Sequence, residues 1–474
     1  MSAVEQAEAP HRQQGDDRLV AIDHFIKGEL VRGSGAVHRA GPGVSFEVPA
    51  LDLDALVWPR TEPGPAFDVP LDEIIDVLTA TGDRLRTDPG GHVAEALALI
   101  QQINPLAPAV LERCYGDLPA QFDRNRILDM IDGEIGGPTV LDGWADHVSR
   151  DGRTGRYRAF PPRLVHVLAG NGPSVAAFSI VRGALTKGVH LMKLPSNDPI
   201  TATAILKTMA EAAPGHPVTR SFSTVYWRGG DSRVEQILYQ PTYFDKLVAW
   251  GGEAALRSAK DYIGPGFELV AYDPKSSISF IGREAFASEE TLTQVADAAA
   301  ADATVYNQLA CVAARFQFVE GTEEQVDRYC EALQRALGLD RHLASAVGPK
   351  LATDLREEID TLRDLDPMYG VWGQDDGRGI VVRSDEPVDF HPDGKVVNVV
   401  PVRDLADAVR FANVATQTVG VYPPERKVAL RDALANCGVQ RIVRLGKAIG
   451  GPPGMSHDGF FPLHRMVRWV NEED

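Results

Sequence analysis

The sequence contains little cysteine, and the cysteines that it has are far apart. There are four in 474 residues, and none of them forms a CxxC pair. This spacing argues against a structural zinc site and against a disulfide framework. We therefore expect no metal site. The four cysteines are Cys114, Cys311, Cys330 and Cys437.

The chain also lacks a block of basic residues and a long apolar run. Its formal net charge is −18, which disfavours binding to nucleic acid or to an anionic membrane, although a local basic pocket for a phosphate is compatible with it. The N-terminus is polar and has no apolar signal core, and no run of about 18 apolar residues occurs. We expect a soluble, cytoplasmic protein without a membrane span.

Length and composition indicate more than one globular domain. Apolar residues make up 44% of the chain and charged residues 24%, as in an ordinary soluble protein. At about 150 residues per domain, the length suggests roughly three domains or lobes. Residues 1–18 are predicted to be a disordered tail, residues 19–57 to form hairpins, and residues 59–65 to be a proline-bearing linker. Helical apolar spacing follows over residues 71–84, 92–103 and 106–114.

From Leu164 onwards, strand-like apolar runs alternate with helical segments. Such consecutive βα units predict an α/β fold with a parallel, doubly wound sheet. Ser174 and Asp231 are placed to cap the helices after their turns, and Asp198-Pro199 is expected to open another helix as N-cap and first-turn proline. The strands of the four units are predicted at residues 164–170, 189–194, 222–227 and 244–250.

A second α/β lobe is predicted from about Ser276. The last residues, 463–474, alternate apolar with charged side chains, which predicts an edge strand that reaches onto a partner subunit. Residues 136–162 are polar and rich in arginine, so we expect a solvated loop or hairpin there. Within the second lobe, helices are predicted at residues 291–303 and 323–337, and strands at residues 276–282, 316–321, 379–383, 396–402 and 440–446.

Three glycine-containing turns follow predicted strands, at the edge where open α/β sheets bind ligands. None has the GxGxxG spacing of a dinucleotide-binding fingerprint. Glycine pairs before a helix nevertheless let the backbone approach a phosphate closely, so Gly229-Gly230 and Gly251-Gly252 are candidates for cofactor binding. The alternative is that these glycines only make tight turns. The turns are residues 170–174, 228–231 and 250–252.

Lys193, Ser196 and Asn171 are the polar candidates beside these turns. Lys193 ends a predicted buried strand, where it could contact a ribose or a phosphate; the alternative is a surface lysine. Ser196 does not repel a 2′-phosphate as an acidic residue would, so NADP(H) is permitted. The amide of Asn171 could donate to a developing oxyanion, or its side chain could merely stabilise an Asx-type turn.

The pentapeptide NQLAC places Cys311 after an alanine-rich helical segment and a polar Asn-Gln step. A thiol acts as a nucleophile only when it is ionised, so a catalytic cysteine needs surroundings that lower its pKa. A polar loop with unpaired N–H groups could provide them, and we expect a lowered thiol pKa here. The alternative is that Cys311 is a small buried apolar residue.

Taken in order, the motifs GNGPS, MKLPS, LVAWGG, NQLAC and GPPGMSHDGFFPLHRMVRWV resemble those of the aldehyde dehydrogenase superfamily. More narrowly, they are similar to the LuxC-type acyl-CoA reductases, the fatty acyl-thioester reductases of bacterial luminescence and related operons. The resemblance covers about residues 160–474. It implies a Rossmann-like NADP-binding domain (19–135 and 163–275), a catalytic domain (276–450), and an oligomerisation arm (136–162 with 451–474).

The resemblance also implies a role for each candidate residue. Cys311 would accept the acyl group, and Asn171 with the Cys311 N–H would form the oxyanion hole. Lys193 and Ser196 would contact the adenosine ribose or its 2′-phosphate, and the Gly251-Gly252 pair would lie near the pyrophosphate. The implied cofactor is NADPH, and the implied acyl donor is an acyl-CoA, an acyl-carrier protein or an acyl-protein ligase. The protein would be a homo-oligomer.

One departure from the superfamily pattern is chemically informative. Hydrolytic aldehyde dehydrogenases carry a water-activating glutamate where this chain has Ala271, and the first carboxylate after it is Asp273. Without that base a thioacyl enzyme would survive to be reduced, which favours thioester reduction to the aldehyde. Aldehyde oxidation to the acid and a non-catalytic scaffold for an acyl-protein ligase stay as alternatives.

Two histidines have no assigned role. The glutamate that holds the nicotinamide ribose in the superfamily has no clear counterpart here, and His391 lies near its position. His457 and Asp458 are adjacent, and adjacent residues rarely point at one substrate, so we interpret them as a structural turn. Cys114, Cys330 and Cys437 lie in helical or apolar patterns and are expected to be bystander thiols.

Overall fold

A computed structural model describes residues 18–41, 43–365 and 367–473, without the side chains of residues 253–255. The predicted tail lies outside the described residues except for Arg18, which begins a strand. The strands are β1 (Arg18–Ala21), β2 (His24–Ile26), β3 (Glu29–Val31), β4 (Gly35–Gly41), β5 (Val44–Pro49), β6 (Ala145–Val148), β7 (Thr154–Phe160), β8 (Arg163–Val167), β9 (Val189–Lys193), β10 (Phe222–Val225), β11 (Lys246–Trp250), β12 (Glu268–Tyr272), β13 (Ser276–Ile281), β14 (Ala314–Glu320), β15 (Gly370–Trp372), β16 (Ile380–Arg383), β17 (Val396–Val402), β18 (Thr416–Tyr422), β19 (Arg441–Arg444) and β20 (Arg468–Glu473).

The helices include those predicted from apolar spacing, with bounds that differ by a few residues. In the described ranges, no helix is both long enough and apolar enough to cross a membrane. The helices are α1 (Leu53–Leu56), α2 (Leu71–Thr87), α3 (His92–Ile103), α4 (Pro108–Gly116), α5 (Arg124–Ile135), α6 (Thr139–Asp142), α7 (Ser174–Leu185), α8 (Thr201–Ala212), α9 (Pro217–Arg220), α10 (Ser232–Leu238), α11 (Glu253–Lys260), α12 (Glu289–Ala303), α13 (Glu323–Leu337), α14 (Thr353–Arg363), α15 (Leu405–Ala408), α16 (Lys427–Asn436) and α17 (Pro462–Met466).

The first large sheet contains the four predicted βα units. Its order is β12-β11-β8-β9-β10-β2-β3, and its first five strands are parallel. Strands β2 and β3 add an antiparallel edge. Leu164 and Val165 of β8 belong to different apolar clusters, so both faces of the sheet are covered. Burial on both faces explains why these strands are continuously apolar in sequence.

The second large sheet begins at β13, which starts at Ser276. Its order is β15-β16-β17-β14-β13-β18-β19, and all of its strands are parallel except β15. Helices α12 and α13 pack together over one face with an apolar cluster. Together the two sheets confirm the predicted α/β fold with parallel sheets.

Two three-stranded sheets complete the described structure. Strand β5 pairs with β1 and β4 near the N-terminus. Residues 136–162 were predicted to be a loop or hairpin; β6 and β7 form a hairpin there, but helix α6 precedes it within the same range. Strand β20 pairs antiparallel with β7 of the same chain. The C-terminal edge strand was predicted from residue 463 but begins at Arg468, because residues 462–466 form helix α17.

The predicted helix caps are only partly right. Asp231 caps α10, since its side chain accepts the backbone N–H of Arg233. Ser174 is instead the first residue of α7, and the N-cap position holds Pro173 without a side-chain cap. Helix α8 begins at Thr201, later than predicted, because Pro199 and Ile200 form a bend before it. The Asp198 carboxylate still accepts the Thr201 N–H at 3.0 Å.

A buried ion pair joins three helices around the first sheet. The guanidinium of Arg182 in α7 lies 2.6 Å from the carboxylate of Glu134 in α5. The second oxygen of Glu134 accepts the backbone N–H of Leu463 in α17 at 2.8 Å. Because Glu134 and Arg182 are both buried, this carboxylate anchors the start of the C-terminal segment to the helices that cover the sheet.

We expect the Glu134→Ala substitution to lower the free energy of unfolding by about 3–5 kcal/mol, because it leaves the Arg182 charge buried and unpaired. Urea titration measures this loss. The matched control is Asp83→Ala, which removes the exposed ion pair with Arg86 and should cost less than about 1 kcal/mol. Equally small losses in the two variants would contradict the role assigned to the buried pair.

Candidate active site

Three consecutive residues before the candidate nucleophile have left-handed backbone conformations. The φ angles of Tyr306, Asn307 and Gln308 are 53°, 49° and 76°. This region costs non-glycine residues free energy, so such residues persist only where the surrounding structure holds them in place. They turn the chain sharply between α12 and β14, and Cys311 follows three residues later.

The side chains of the Asn-Gln step provide this support. The amide of Asn307 donates to Ser345 Oγ at 2.9 Å and accepts the Ser345 N–H at 3.0 Å. The amide of Gln308 donates to the carbonyl of Val396 at 2.8 Å and accepts the backbone N–H of Lys395 at 2.9 Å. Both side chains are buried. The polar step therefore fixes the backbone through its side-chain amides.

Cys311 lies at the amino edge of the second sheet, next to the starts of β13 and β18. The hydroxyl of Ser277 donates to the Cys311 carbonyl at 2.9 Å. The side-chain amide of Gln417 donates to Cys311 Sγ at 3.2 Å. The same amide nitrogen donates to Asp458 Oδ1 at 2.6 Å. The sulfur is thus half-buried, with a hydrogen-bond donor directed at it.

The electrostatics of Cys311 differ from the expectation of a lowered pKa. Burial raises the pKa of the Cys311 thiol, the Asp458 carboxylate raises it further, and the hydrogen bond from Gln417 opposes both effects. The backbone N–H groups of Cys311 and Val312 also lower the thiol pKa, but burial and Asp458 outweigh them. The polar side chains of the loop point away, into the backbone contacts described above. The thiol is therefore harder to ionise than an ordinary cysteine.

The other three thiols have different surroundings, and of these Cys114 has a hydrogen bond with the Tyr306 hydroxyl. Cys114 and Cys330 lie in apolar clusters, and burial raises the pKa of Cys114 to about 12. Cys437 is half-buried, and its sulfur lies 3.8 Å from the carbonyl oxygen of Val409. None of these environments offers the sulfur a side-chain amide donor like that of Gln417.

An aromatic wall stands at the carboxyl edge of the first sheet. The rings of Trp250 and Tyr272 are stacked, with centroids 3.5 Å apart, and His457 packs edge-on against both. The polar atoms Trp250 Nε1, Tyr272 Oη and His457 Nδ1 are buried and have no hydrogen-bond partner among the described residues. Three buried polar atoms therefore lie together at this edge of the sheet.

The turn that carries His457 and Asp458 brings Asp458 close to the thiol, through the Gln417 amide, and its interpretation as a structural turn stays a prediction. Backbone hydrogen bonds of 2.8 and 3.1 Å between His457 and Phe460 close the turn. Burial lowers the pKa of His457, although the adjacent Asp458 opposes this shift. At the end of β12, Ala271 and Tyr272 provide no carboxylate, and Asp273 is exposed.

The structure brings the Asn171 turn to the segment that carries Cys311. Asn171 Nδ2 lies 3.5 Å from the carbonyl oxygen of Leu309, at the outer limit of a hydrogen bond. Gly172 lies against the Tyr306 ring, since a Cβ there would be 3.2 Å from its Cε2 atom. Asn171 is exposed, so its amide can reach a bound group.

Lys193 is not a surface lysine. It ends β9 and is 9% exposed. Its ammonium lies 5.9 Å from the ring centroid of Tyr226 and 5.7 Å from that of Trp227. Burial lowers its pKa, which the Glu235 carboxylate opposes. Its ammonium forms no hydrogen bond to another residue in the described part of the chain.

The remaining cofactor candidates surround this edge of the sheet. Ser196 is exposed. A Cβ on Gly229 would lie 3.8 Å from Lys193 Nζ, whereas the Gly230 N–H is already donated to Glu235 at 3.0 Å. Gly251 and Gly252 join β11 to α11, and Gly252 is an N-cap without a side-chain cap and with open space around its Cβ position.

His391 does not contact any of these groups. It is exposed, on the loop where Arg315 binds the Pro392 carbonyl and the Asp393 carboxylate. Although much of its surface is exposed, partial burial of the ring and the charge of Arg315 lower the pKa of His391, and Asp393 opposes this shift. The structure gives it no role at the thiol.

Comparison with protein families assigns the chain. Residues 66–469 match the family described as acyl-CoA reductase (LuxC). The chain belongs to this LuxC family. The resemblance stated from its motifs is therefore confirmed.

Curated relatives of this LuxC family member include two long-chain acyl-protein thioester reductases. The protein from Photorhabdus laumondii is 31% identical over 355 residues, which cover 73% of this chain and 70% of the relative. The protein from Vibrio harveyi is 30% identical over 416 residues, which cover 86% of this chain and 83% of the relative.

Solved structures confirm the predicted aldehyde-dehydrogenase-like fold of this LuxC family member. Lactaldehyde dehydrogenase from Escherichia coli matches with a TM-score of 0.71 at 16% identity, covering 96% of this chain and 99% of the other. The NADP-dependent glyceraldehyde-3-phosphate dehydrogenase from Bacillus halodurans matches with a TM-score of 0.69 at 14% identity, covering 95% and 98%. At these identities the likeness shows the fold alone.

Two residues at the thiol of this LuxC-family chain escaped prediction. Gln417 lies in β18, which was not predicted because Gln417, Thr418 and Gly420 interrupt its apolar pattern. Asp458 was interpreted only as part of a turn. A polar residue that is buried within a central strand is the one signal that could have identified Gln417, since such residues need a specific partner.

We expect Asn307→Ala to destabilise the chain by about 2–5 kcal/mol. The substitution leaves the buried Ser345 N–H unpaired, at about 1–3 kcal/mol, and places alanine in a left-handed conformation, at about 1–2 kcal/mol. Urea titration measures the loss. Asn436→Ala, at the exposed end of α16, is the control and should stay within about 0.5 kcal/mol. A similar result for both variants would show that the left-handed segment does not depend on Asn307.

Proposed function

We propose that the chain reduces a long-chain acyl thioester to the aldehyde with NADPH, through an acyl thioester on Cys311. The observation that carries this proposal is the sulfur of Cys311 at the edge of the second sheet, with the Gln417 amide donating to it. Family membership and the names of the curated relatives support the reaction class. The donor is an acyl-CoA, an acyl-carrier protein or an acyl-protein ligase.

The first half-reaction is thioester exchange. The Cys311 thiolate attacks the acyl carbonyl, a new C–S bond forms, and the C–S bond to the donor breaks. The donor leaves as a thiolate and takes up from solvent the proton that the Cys311 thiol released when it ionised. The carbonyl oxygen becomes an oxyanion during the attack. Asn171 Nδ2 and the Cys311 N–H are our candidates to stabilise it, and a single such donor contributes about 2.7–4 kcal/mol.

The end of β12 favours reduction over hydrolysis. A hydrolytic enzyme needs a base that removes a proton from the attacking water. Ala271 has no ionisable group. Tyr272 keeps its proton, because burial raises the pKa of its hydroxyl. Asp458 is the carboxylate near the sulfur, and its contact runs through the Gln417 amide. Because the end of β12 offers no base, we expect the acyl group to persist on Cys311.

The cofactor candidates fit a nicotinamide dinucleotide. The buried Lys193 ammonium has no hydrogen-bond partner among the described residues, and it would bind the adenosine ribose or its 2′-phosphate together with Ser196. The open N-terminus of α11 at Gly251-Gly252 would lie near the pyrophosphate. The Gly229-Gly230 turn would border the ribose. NADPH, when bound, supplies the hydride that reduces the thioester.

The arm and the assembly belong to the same proposal. The sheet of β20, β7 and β6 is exposed at both edges within the chain, and an exposed strand edge can pair with a second copy. We therefore propose that this sheet is the oligomerisation arm of a homo-oligomer. The helices and strands of residues 19–135 and 163–275 form the proposed NADP-binding domain, and residues 276–450 form the catalytic domain.

The proposal is tested by mass spectrometry after incubation with a panel of acyl-CoAs in the absence of reductant. We expect a mass increase of one acyl group on the peptide that contains Cys311, and no adduct in Cys311→Ala, because the sulfur is the acyl acceptor. Cys437→Ala removes another half-buried thiol and should acylate normally. An adduct that persists in Cys311→Ala, or free acid released from aldehyde and NADP⁺ without CoA, would rule out the proposed reaction.

We expect Ser196→Glu to shift cofactor preference from NADPH towards NADH. A carboxylate near a 2′-phosphate repels it, and like charges about 4 Å apart cost about 1–4 kcal/mol. The ratio of kcat/KM for NADPH to kcat/KM for NADH should therefore fall by about tenfold or more. Ser149→Glu adds the same charge on the turn between β6 and β7 and should leave the ratio unchanged. An unchanged ratio in Ser196→Glu would remove this residue from the cofactor site.

A further inference from the structure

The Gln417 side chain joins the thiol to a carboxylate. Its amide nitrogen donates to Cys311 Sγ at 3.2 Å and to Asp458 Oδ1 at 2.6 Å. A primary amide nitrogen carries two hydrogens, so it can serve both acceptors at once. The Asp458 side chain is only 4% exposed, and water has little access to replace this contact.

The orientation of this amide follows from the charge of Asp458. An ionised carboxylate only accepts hydrogen bonds, so the NH₂ end of the amide must face it and the oxygen end must point away. The oxygen Gln417 Oε1 is buried without a partner among the described residues, although an unpaired buried acceptor is costly. The two hydrogen bonds donated by the amide nitrogen therefore stabilise this orientation, although it leaves the oxygen unpaired.

We propose that Gln417 is a positioning residue for Cys311 and that Asp458 sets the orientation of the Gln417 amide, so that the sulfur always receives a hydrogen bond. This inference rests on the proposed function of Cys311 as the acyl acceptor. It gives Gln417 in β18 and Asp458 in the C-terminal turn a role in setting the ionisation of the Cys311 thiol. The amide donor stabilises the thiolate, which is the reactive form.

The two groups act on the thiolate with opposite signs. The hydrogen bond from Gln417 favours the ionised sulfur, whereas the negative charge of Asp458 disfavours it. Other charged or titratable groups surround the pair and stay constant in the experiment below. They are Glu134 of α5, Arg182 of α7, Tyr272 of β12, Asp302 of α12, Arg441 of β19, and His457 beside Asp458.

Arg441 carries a positive charge that interacts with both partners. The charges of Cys311 and Asp458 both act on its guanidinium. That guanidinium donates to Thr418 Oγ1 at 3.2 Å and to the Ala448 carbonyl at 2.8 Å. Arg441 is therefore fixed by neutral acceptors, and replacing Gln417 or Asp458 does not free it to pair with the sulfur.

The test is the pH dependence of alkylation of Cys311 by iodoacetamide in the full chain, measured by peptide mass spectrometry from about pH 7 to about pH 11. This range extends above the ordinary thiol because the pKa of Cys311 is raised, and a midpoint beyond its upper limit counts as a rise. Gln417→Met keeps the length of the side chain and removes the donor, so the midpoint should rise by about one unit or more. Asp458→Asn removes the charge and keeps an oxygen that can accept from Gln417, so the midpoint should fall.

Gln440→Met is the matched control. The Gln440 side chain packs against Gly459 of the same turn and has no described contact with the sulfur, so its midpoint should match that of the unchanged chain. Gln417→Leu replaces Gln417→Met if circular dichroism shows that the methionine variant is unfolded, with the same expected rise.

Opposite shifts in the two variants support the inference. An unshifted midpoint in Gln417→Met, or shifts of the same direction in both variants, would overturn it, because a purely structural role changes the alkylation rate at every pH without moving the midpoint. No acyl donor is present in this experiment. A chain that shows opposite shifts but forms no acyl adduct on Cys311 would therefore disprove the proposed function alone.

Discussion

The position of the thiol depends on the backbone of Tyr306, Asn307 and Gln308. Three left-handed non-glycine residues in a row are unfavourable by themselves, and they persist here because two buried amides bind the chain on either side. A segment held in this way has one arrangement and little freedom to relax. The sulfur of Cys311 inherits that rigidity, which suits a nucleophile that must meet a carbonyl in a defined geometry.

The candidate site is built from opposite edges of two sheets. Cys311 and Gln417 lie at the amino edge of the second sheet, whereas Trp250 and Tyr272 end strands at the carboxyl edge of the first. The turn of His457 and Asp458 contacts both, through the two aromatic rings and through the Gln417 amide. The proposed nucleophile and the proposed cofactor turns are therefore linked by residues that belong to neither sheet.

Much of the fold follows from local sequence, and much of the site does not. Helix α13 and strand β17 have the bounds that their apolar spacing predicts, because burial of one face or of both faces leaves a regular pattern. Strand β18 breaks that pattern with Gly420. A larger side chain does not fit there, because a Cβ on Gly420 would lie 2.8 Å from Asp302 Oδ2.

Long-range contacts account for the rest. Gln417 lies 106 residues from Cys311, and Asp458 lies 41 residues from Gln417, so no local spacing encodes their meeting. Glu134 also makes long-range contacts. It pairs with Arg182 of α7, the helix after the Asn171 turn, and it accepts the Leu463 N–H at the start of the C-terminal segment. Cleavage of the chain between Asp458 and Leu463 would thus separate the Asp458 carboxylate from the contact that Leu463 makes with Glu134 of α5. Loss of the C-terminal segment would therefore change the ionisation of the Cys311 thiol.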